Sequence, residues 1–198
     1  MIMRRIIGQI THFMYLAYAR LGYWLGGIDF VCRLVANAPQ RCIAPLLRSY
    51  GAVVGAGTRF KDGLLIDNAS GDQDATNSFR NLVIGKRCYI GKDCFFDLPD
   101  RIVLEDEVVV SVGVRMLTHA DCGSRVMSLY YPRQRAPIHI GFGTWIGAGA
   151  TLLCGVELGA CCVVATGAVV TESFPDYSVV AGVPARIIKK LPENAGSI

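Results

Sequence analysis

The chain has 198 residues, of which 52% are hydrophobic and 18% are charged, and its formal net charge is +4. This length suits one domain with a buried core and is too short for two large domains. The mild charge, without alternating basic and aromatic residues, argues against nucleic-acid binding. The 8 cysteines include no CxxC pair, so we expect reduced, buried thiols in a cytoplasmic protein rather than a disulfide framework.

Residues 1–50 predict a helical segment at the amino end of the chain. Apolar residues at helical spacing form one stripe, which comprises Met3, Ile6, Ile10, Phe13, Ala17 and Trp24. Gln9, Thr11 and His12 interrupt the apolar run, so residues 1–30 are not expected to span a membrane. The stripe either touches the inner face of a membrane or packs against the domain or another subunit, and we favour packing.

Residues 51–182 carry a repeat of six residues. In the second half, aliphatic side chains recur at Ile140, Ile146, Leu152, Leu158, Val164 and Val170. Shorter runs with the same spacing precede them, at Val54, Phe60 and Ile66, at Ile84, Ile90 and Phe96, and at Leu104, Val110 and Met116. A helical stripe has a period of about 3.6 residues, whereas six fits a short strand followed by a corner. Three such units close one triangular coil, and we expect the coils to stack.

The repeat breaks in two places. Residues 68–78, "NASGDQDATNS", form either a loop beside a binding site or a disordered excursion. A longer break predicts a loop at 120–137, and long loops in compact domains are often functional. His119 lies at the root of this loop. Its imidazole, with an ordinary pKa of about 6.5, is largely neutral in the cytoplasm and therefore suited to act as a base.

Residues 183–198 predict a short C-terminal helix and a tail. The segment "VPARIIKKL" begins with Pro184 in a position that suits the first turn of a helix. The open ends of a stacked prism expose unpaired strand edges, which need covering. We therefore expect the N-terminal helical segment and this C-terminal helix to cap the two ends.

Residues 140–191 resemble the C-terminal part of the hexapeptide-repeat acetyltransferases, which include maltose, galactoside, nodulation-factor and polysaccharide O-acetyltransferases. The resemblance depends on the "WIG" box, the hexads and the ending "AGVPARIIK". It implies an all-β fold, a left-handed parallel β-helix, assembled as a homotrimer with active sites between subunits. It also implies an acetyl-CoA-dependent O-acetyltransferase that acts on a sugar hydroxyl, of a saccharide or a surface-polysaccharide precursor.

The same resemblance assigns roles to individual residues. His119 matches the general base that takes a proton from the acceptor hydroxyl as this oxygen attacks the acetyl-CoA thioester. The positions that match the coenzyme A groove are Trp145, Ala148, Thr166, Thr171, Arg186 and Lys189. Among them, the Ala148 N–H matches an oxyanion donor, and the two basic residues match phosphate contacts. Relatives often have Lys where this chain has Glu172, so that position is not carried over.

The acceptor site is less closely defined by the sequence. Asp97, Tyr130 and Arg133 are the candidates for acceptor binding, with Tyr131 and Arg135 beside them in the loop. Asp97 lies where relatives often have Asn or Asp near the acceptor, and a corner-stabilising role is an equal alternative. Asp121 either orients the imidazole of His119 or is a solvated loop carboxylate.

Other functions stay open at this point. The same fold could acetylate serine or the amine of a nucleotide-linked amino sugar. A zinc-dependent carbonic anhydrase requires three converging histidines, but the chain has only His12, His119 and His139, so no metal site is predicted. A catalytically silent trimeric scaffold is the non-enzyme alternative, against which the complete cofactor-end motif argues.

Overall fold

Strands of mostly two or three residues enter three sheets in turn and build a β-helix with three faces. The computed structural model describes residues 2–193, with side chains described from Phe13 onward. The strands within each stack are parallel, apart from a terminal hairpin. Because each coil contributes one strand to each face, residues of successive coils lie directly above one another.

The strands are numbered along the chain and grouped by face. The first face contains β1 (Val53–Val54), β4 (Leu82–Ile84), β7 (Ile102–Leu104), β12 (Ile138–Ile140) and β15 (Glu157–Leu158). The second contains β2 (Arg59–Phe60), β5 (Tyr89–Ile90), β8 (Val109–Val110), β13 (Trp145–Ile146), β16 (Val163–Val164), β18 (Ser178–Gly182) and β19 (Ala185–Lys190). The third contains β3 (Leu65–Asp67), β6 (Phe95–Asp97), β9 (Arg115–Met116), β14 (Thr151–Leu152) and β17 (Val169–Val170).

The hexad positions form the core, as their spacing predicts. On the first face, strand pairing stacks four of them in register and all four are buried: Ile84, Leu104, Ile140 and Leu158. Removing a side chain from such a stack loses its transfer free energy and leaves a cavity. We call these stacked inward side chains the inward column, and they are therefore the main source of stability in the β-helix.

Leu104→Ala should lower the free energy of unfolding by about 2–5 kcal/mol, since Leu104 is stacked between two other buried aliphatic side chains. Chemical denaturation of the purified protein measures this change. Leu65→Ala makes the same truncation at a side chain that is 49% exposed on β3, and it should cost much less. Equal losses at both positions would contradict the assignment of Leu104 to the inward column.

Two helices cover the first coil. Helix α1 (Ile2–Ala36) is interrupted at Gly27, whose φ of 62° is not helical, and α2 (Gln40–Ser49) follows it. The helix α1 contacts β3, while α2 contacts β1 and β2. Val31, Val35, Ile43 and Leu46 bury their side chains in this contact. The helices therefore protect the open end of the prism from edge pairing.

One side of α1 faces away from the β-helix. The stripe residues Phe13, Ala17 and Trp24 are exposed, with Trp24 at 80%, so they do not pack on the β-helix of the same chain. The side chains of the remaining stripe residues, Met3, Ile6 and Ile10, lie outside the described residues, as does that of His12. Within residues 2–193, none of the helices combines the length and the apolar character needed to cross a membrane.

The predicted C-terminal helix is wrong. Residues 185–190 form β19, which pairs antiparallel with β18 around Gly182, where φ is 102°. The edge of β18 offers backbone groups to a segment that follows it immediately, whereas a helix of this length is marginal in water. Ile187 and Ile188 also favour a strand, because they are β-branched. The hairpin extends the second face at the end of the prism opposite the helices.

Both breaks in the repeat leave the same edge of the prism, where the third face meets the first. Residues 68–78 lie between β3 and β4, and residues 117–137 lie between β9 and β12. In the second insert, β10 (His119–Ala120) pairs antiparallel with β11 (Gln134–Arg135), and a 3-10 turn at Val126–Leu129 lies between them. We name this edge the insert edge, and all the candidate acceptor residues lie on it.

Candidate active site

His119 and Asp97 form a hydrogen-bonded pair at the insert edge. The His119 Nδ1 lies 2.7 Å from Asp97 Oδ2. This oxygen also accepts hydrogen bonds from the backbone N–H groups of Thr118 (3.0 Å) and His119 (3.2 Å), and Asn68 Nδ2 donates to Oδ1 (2.7 Å). With so many donors around it, the carboxylate acts as an acceptor. Nδ1 of His119 therefore donates, which leaves the lone pair of the neutral ring on Nε2.

Asp97 holds the imidazole of His119 through a hydrogen bond and does not line an open acceptor site. Its side chain is buried, with the whole residue only 1% exposed. The acceptor-binding role that the sequence predicts for Asp97 therefore gives way to the corner-stabilising alternative, with His119 as the main partner. A buried acid at this corner suits both tasks, because it satisfies backbone donors and holds the ring in one orientation.

The His119 ring opens on a cleft of about 330 Å³, a size suited to a small organic ligand. The lining residues are Leu117, His119, Ala120, Tyr131, Gln134, Leu153, Cys154 and Thr171. Thr171, predicted as a coenzyme A contact, therefore shares the cleft with the predicted base. Tyr130, predicted as an acceptor contact, is 77% exposed and is not among the lining residues, whereas its neighbour Tyr131 is.

Cys154 is a cleft residue that sequence reasoning missed. The Leu117 N–H donates to Leu152 O at 3.0 Å, which stacks the chain leaving β14 on the chain leaving β9 and brings Cys154 near His119. Burial, and then the negative charge of Asp97, raise the pKa of the Cys154 thiol. This thiol is therefore protonated at neutral pH and is a weak nucleophile. The sequence does contain a signal for Cys154. It follows the inward hexad residue Leu152 by two positions, just as Thr118 follows Met116.

Arg133 does not face the cleft as a free acceptor contact. Its guanidinium binds Asp72 through two hydrogen bonds, Nη1 to Oδ2 at 3.0 Å and Nη2 to Oδ1 at 2.7 Å. Nη2 also donates to Asp74 Oδ2 at 2.9 Å, and Nη1 donates to Asp121. We call these four residues the Arg133 clamp. Asp121, one candidate to orient His119, is thus occupied by Arg133, and Asp97 orients the ring instead.

The clamp changes the ionisation of its members. Burial acts to raise the pKa of Asp72, but hydrogen bonds from Arg133 and the Asp74 amide outweigh it and lower the pKa below 3.8. The Arg133 hydrogen bond, with one from the Gly123 amide, lowers the pKa of Asp121. The hydrogen bonds that Arg133 donates to the carboxylates raise the pKa of its guanidinium, and the bond to Asp72 contributes most. Because the pKa values of Asp72 and Asp121 are lowered, the ion pairs of these two carboxylates with Arg133 are present above pH 3.8 and weaken as the pH falls through the lowered values.

The other predicted coenzyme A residues lie away from the insert edge. Ala148 and Thr166 occupy the corner between the second and third faces, and Gly167 N–H donates to Ala148 O at 2.9 Å. Trp145 lies on the second face, is 52% exposed, and donates from Nε1 to Ser111 Oγ at 3.0 Å. Within the chain the third face therefore separates these residues from His119.

The basic pair lies on the terminal hairpin. Arg186 and Lys189 are both exposed on β19. Arg186 Nη1 lies 2.9 Å from Glu172 Oε1, so the acid that departs from the family pattern forms an exposed ion pair with a predicted phosphate contact. Exposed pairs of this kind contribute little free energy, about 0–1 kcal/mol, and are readily exchanged for another anion.

One group of possible metal ligands occurs among the described residues. Single ligand atoms of Asp72, His119 and Asp121 lie within 4.8 Å of one another. Both carboxylates already bind Arg133, which supplies a positive charge at this position. His139 lies elsewhere on the surface, with Nε2 3.2 Å from Glu105 Oε1 and Nδ1 3.5 Å from Glu157 Oε1.

Two family models match the repeats. The model of the bacterial transferase hexapeptide (six repeats) matches residues 137–172, and that of the hexapeptide repeat of succinyl-transferase matches residues 81–115. A putative acetyltransferase of Saccharomyces cerevisiae is 32% identical over 120 residues, which cover 56% of this chain and 59% of that protein. A 2,3,4,5-tetrahydropyridine-2,6-dicarboxylate N-acetyltransferase of Brevibacillus brevis is 40% identical over 79 residues, covering 40% of this chain and 34% of that protein. The chain thus spans 59% of the first relative's length and 34% of the second's.

Solved structures share the fold. A maltose O-acetyltransferase from Clostridium difficile has a TM-score of 0.70 at 24% identity, covering 83% of this chain and 84% of that one. A galactoside acetyltransferase in complex with coenzyme A has a TM-score of 0.68 at 19% identity, covering 82% and 78%. Together with the family models, these likenesses confirm the resemblance to hexapeptide-repeat acetyltransferases that the sequence shows. They establish a β-helix of the hexapeptide-repeat type.

Proposed function

We propose that this protein is an acetyl-CoA-dependent O-acetyltransferase that acts on a sugar hydroxyl, of a saccharide or a surface-polysaccharide precursor. The observation that carries the proposal is the His119–Asp97 pair, with 2.7 Å between Nδ1 and Oδ2, at the side of a cleft of about 330 Å³. The likeness to maltose and galactoside acetyltransferases supports a sugar as the acceptor.

His119 moves one proton in this proposal. Nε2 takes the proton of the acceptor hydroxyl as its oxygen forms the new bond to the acetyl carbon, and it returns the proton to the departing sulfur. Acetyl-CoA, when bound, supplies the activated thioester. The Asp97 carboxylate stabilises the imidazolium that exists between the two transfers, because the opposite charge lies within hydrogen-bond distance of Nδ1.

The residues matched to the coenzyme A groove fit such a ligand. Within residues 2–193 the structure gives the Ala148 N–H no hydrogen-bond acceptor, so it is available to a developing oxyanion. Trp145 and Thr166 are exposed beside it and can lie along a pantetheine arm. Arg186 and Lys189 offer positive charge to the phosphates once Arg186 exchanges Glu172 for the ligand.

The separation of these residues supports an assembly of several copies. His119 and Thr171 lie on the insert edge, while Ala148 and Thr166 lie on another edge of the same protomer. A site that uses both sets is complete only when the insert edge of one copy meets the other edge of a second. We therefore propose a homotrimer of left-handed β-helices in the cytoplasm. Another subunit then covers the exposed side of α1, with the inner face of the membrane as the alternative.

Two alternatives change the acceptor and keep the same base, and a third is not an enzyme. The 40% identity with an N-acetyltransferase over 79 residues favours an amine acceptor as the second candidate, and serine O-acetylation would use the same base. A catalytically silent scaffold would need neither the His119–Asp97 pair nor the cleft.

We expect acceptor-dependent release of free thiol when the wild-type protein is mixed with acetyl-CoA and a panel of sugars, amino sugars and serine. A thiol-reactive dye measures the rate, and the bond type of the product separates the classes, since hydroxylamine cleaves an ester but leaves an amide intact. Calorimetry with acetyl-CoA accompanies the assay. If the protein showed no acetyl-CoA binding and no turnover, this result would contradict the transferase and favour the scaffold.

A further inference from the structure

The two inserts at the insert edge are joined through one side chain. Arg133 comes from the second insert, and Asp72 and Asp74 come from the first, 61 and 59 residues away in the chain. Asp121 adds a carboxylate from the second insert itself. The Arg133 side chain is only 19% exposed, so its pairing is partly shielded from water and is stronger than a fully exposed ion pair.

The clamp lies directly beside the proposed base. One carboxylate oxygen each of Asp72 and Asp121 and a ring nitrogen of His119 lie within 4.8 Å of one another. Asp97 contacts the ring from the third face. The other titratable or charged groups around this cluster are Asp74, Asp100, Tyr131, Arg135 and Cys154. Among the residues that the structure describes, Arg133 is the one cation that forms ion pairs with both Asp72 and Asp121.

We propose that Arg133 is a positioning residue for His119, which joins the two inserts into one wall beside the imidazole and neutralises the carboxylates of Asp72 and Asp121. This inference rests on the proposed function, in which the neutral ring accepts a proton. Without Arg133 the two carboxylates would favour the protonated ring, because an opposite charge within about 4–6 Å stabilises the charged form. A protonated ring cannot act as the base.

Arg133→Gln tests the electrostatic part of this proposal in the full-length protein. We expect the acid limb of the kcat/KM profile to move up by about one pH unit, with a fall of about tenfold below it. Arg133→Lys keeps the charge and should leave the limb near its wild-type position. Adding Asp121→Asn to Arg133→Gln removes one uncompensated charge and should return the limb part of the way. A uniform loss of rate, with the limb unmoved, would mean that Arg133 only supports the loop.

A second measurement needs no acceptor and therefore separates this inference from the proposed function. The ring protons of His119, assigned by comparison with His119→Ala, report its protonation by NMR, and the midpoint should rise in Arg133→Gln. Hydrogen exchange should accelerate in both 68–78 and 120–137 in the same variant. Arg125→Gln is the matched control, since Arg125 Nη1 bonds only to Cys122 O within its own insert, at 2.8 Å. Unchanged exchange in 68–78 in Arg133→Gln, or an unmoved midpoint, overturns the proposal even if the wild type shows no turnover.

Discussion

His119→Ala is expected to lower the acceptor-dependent kcat/KM by about 10²- to 10⁴-fold, the usual contribution of a positioned base. The variant removes the imidazole, whose Nδ1 is bound by Asp97 and whose Nε2 is the proposed base in the cleft. It should leave acetyl-CoA binding nearly unchanged. Of the residues matched to the coenzyme A groove, only Thr171 shares the cleft with His119, and the others lie on other parts of the prism. Thiol release measured over a range of acceptor concentrations, together with calorimetry, checks both statements.

His139→Ala is the matched control for this loss. The ring of His139 lies between Glu105 and Glu157 on the first face, with no part in the cleft, so its removal should change kcat/KM less than about twofold. His119→Asn is a further comparison, because its amide can still hydrogen-bond to Asp97 but cannot take up a proton. A His119→Ala protein that keeps most of its turnover would overturn the assignment of the base.

The inward column of the fold was predictable because it depends on a local period. Ile84, Leu104 and Ile140 each begin a run with a spacing of six residues, and all three are buried, since six residues return the chain to the same point on the next face. The place of His119 was predictable for a similar reason, because the period stops at the residue where an insert begins. Both inferences need only the spacing of residues along the chain.

The pairing within the site depends on register between coils and was not predictable in this way. Phe96 pairs with Met116, an offset of 20 rather than 18 residues, because two extra residues follow β6. This shift places Asp97 under the start of the second insert, within reach of His119. The Arg133 clamp joins segments without any period, and the terminal hairpin depends on a neighbouring strand edge that a local helical pattern does not reveal.

Asp97→Asn is expected to lower kcat/KM by about 10²-fold or more while leaving the KM for acetyl-CoA little changed. If the amide nitrogen faces Nδ1, it donates to the ring and places the ring proton on Nε2, the atom that must accept. If the amide oxygen faces Nδ1, the nitrogen meets the donating Asn68 Nδ2 instead. Either orientation leaves a buried donor without an acceptor, so we also expect a loss of about 1–3 kcal/mol in unfolding free energy.

The pH profile separates the loss of the charge from the loss of stability. Removing the carboxylate withdraws the stabilisation of the imidazolium, so the acid limb of kcat/KM should move to lower pH, opposite to the shift expected for Arg133→Gln. Asp67→Asn is the matched control, because Asp67 pairs in register with Asp97 one coil away but is exposed. It should change neither the rate nor the limb. An Asp97→Asn protein that is less stable but keeps the wild-type rate and limb would show that this acid serves the corner alone, and that His119 needs no partner to hold its proton on Nδ1.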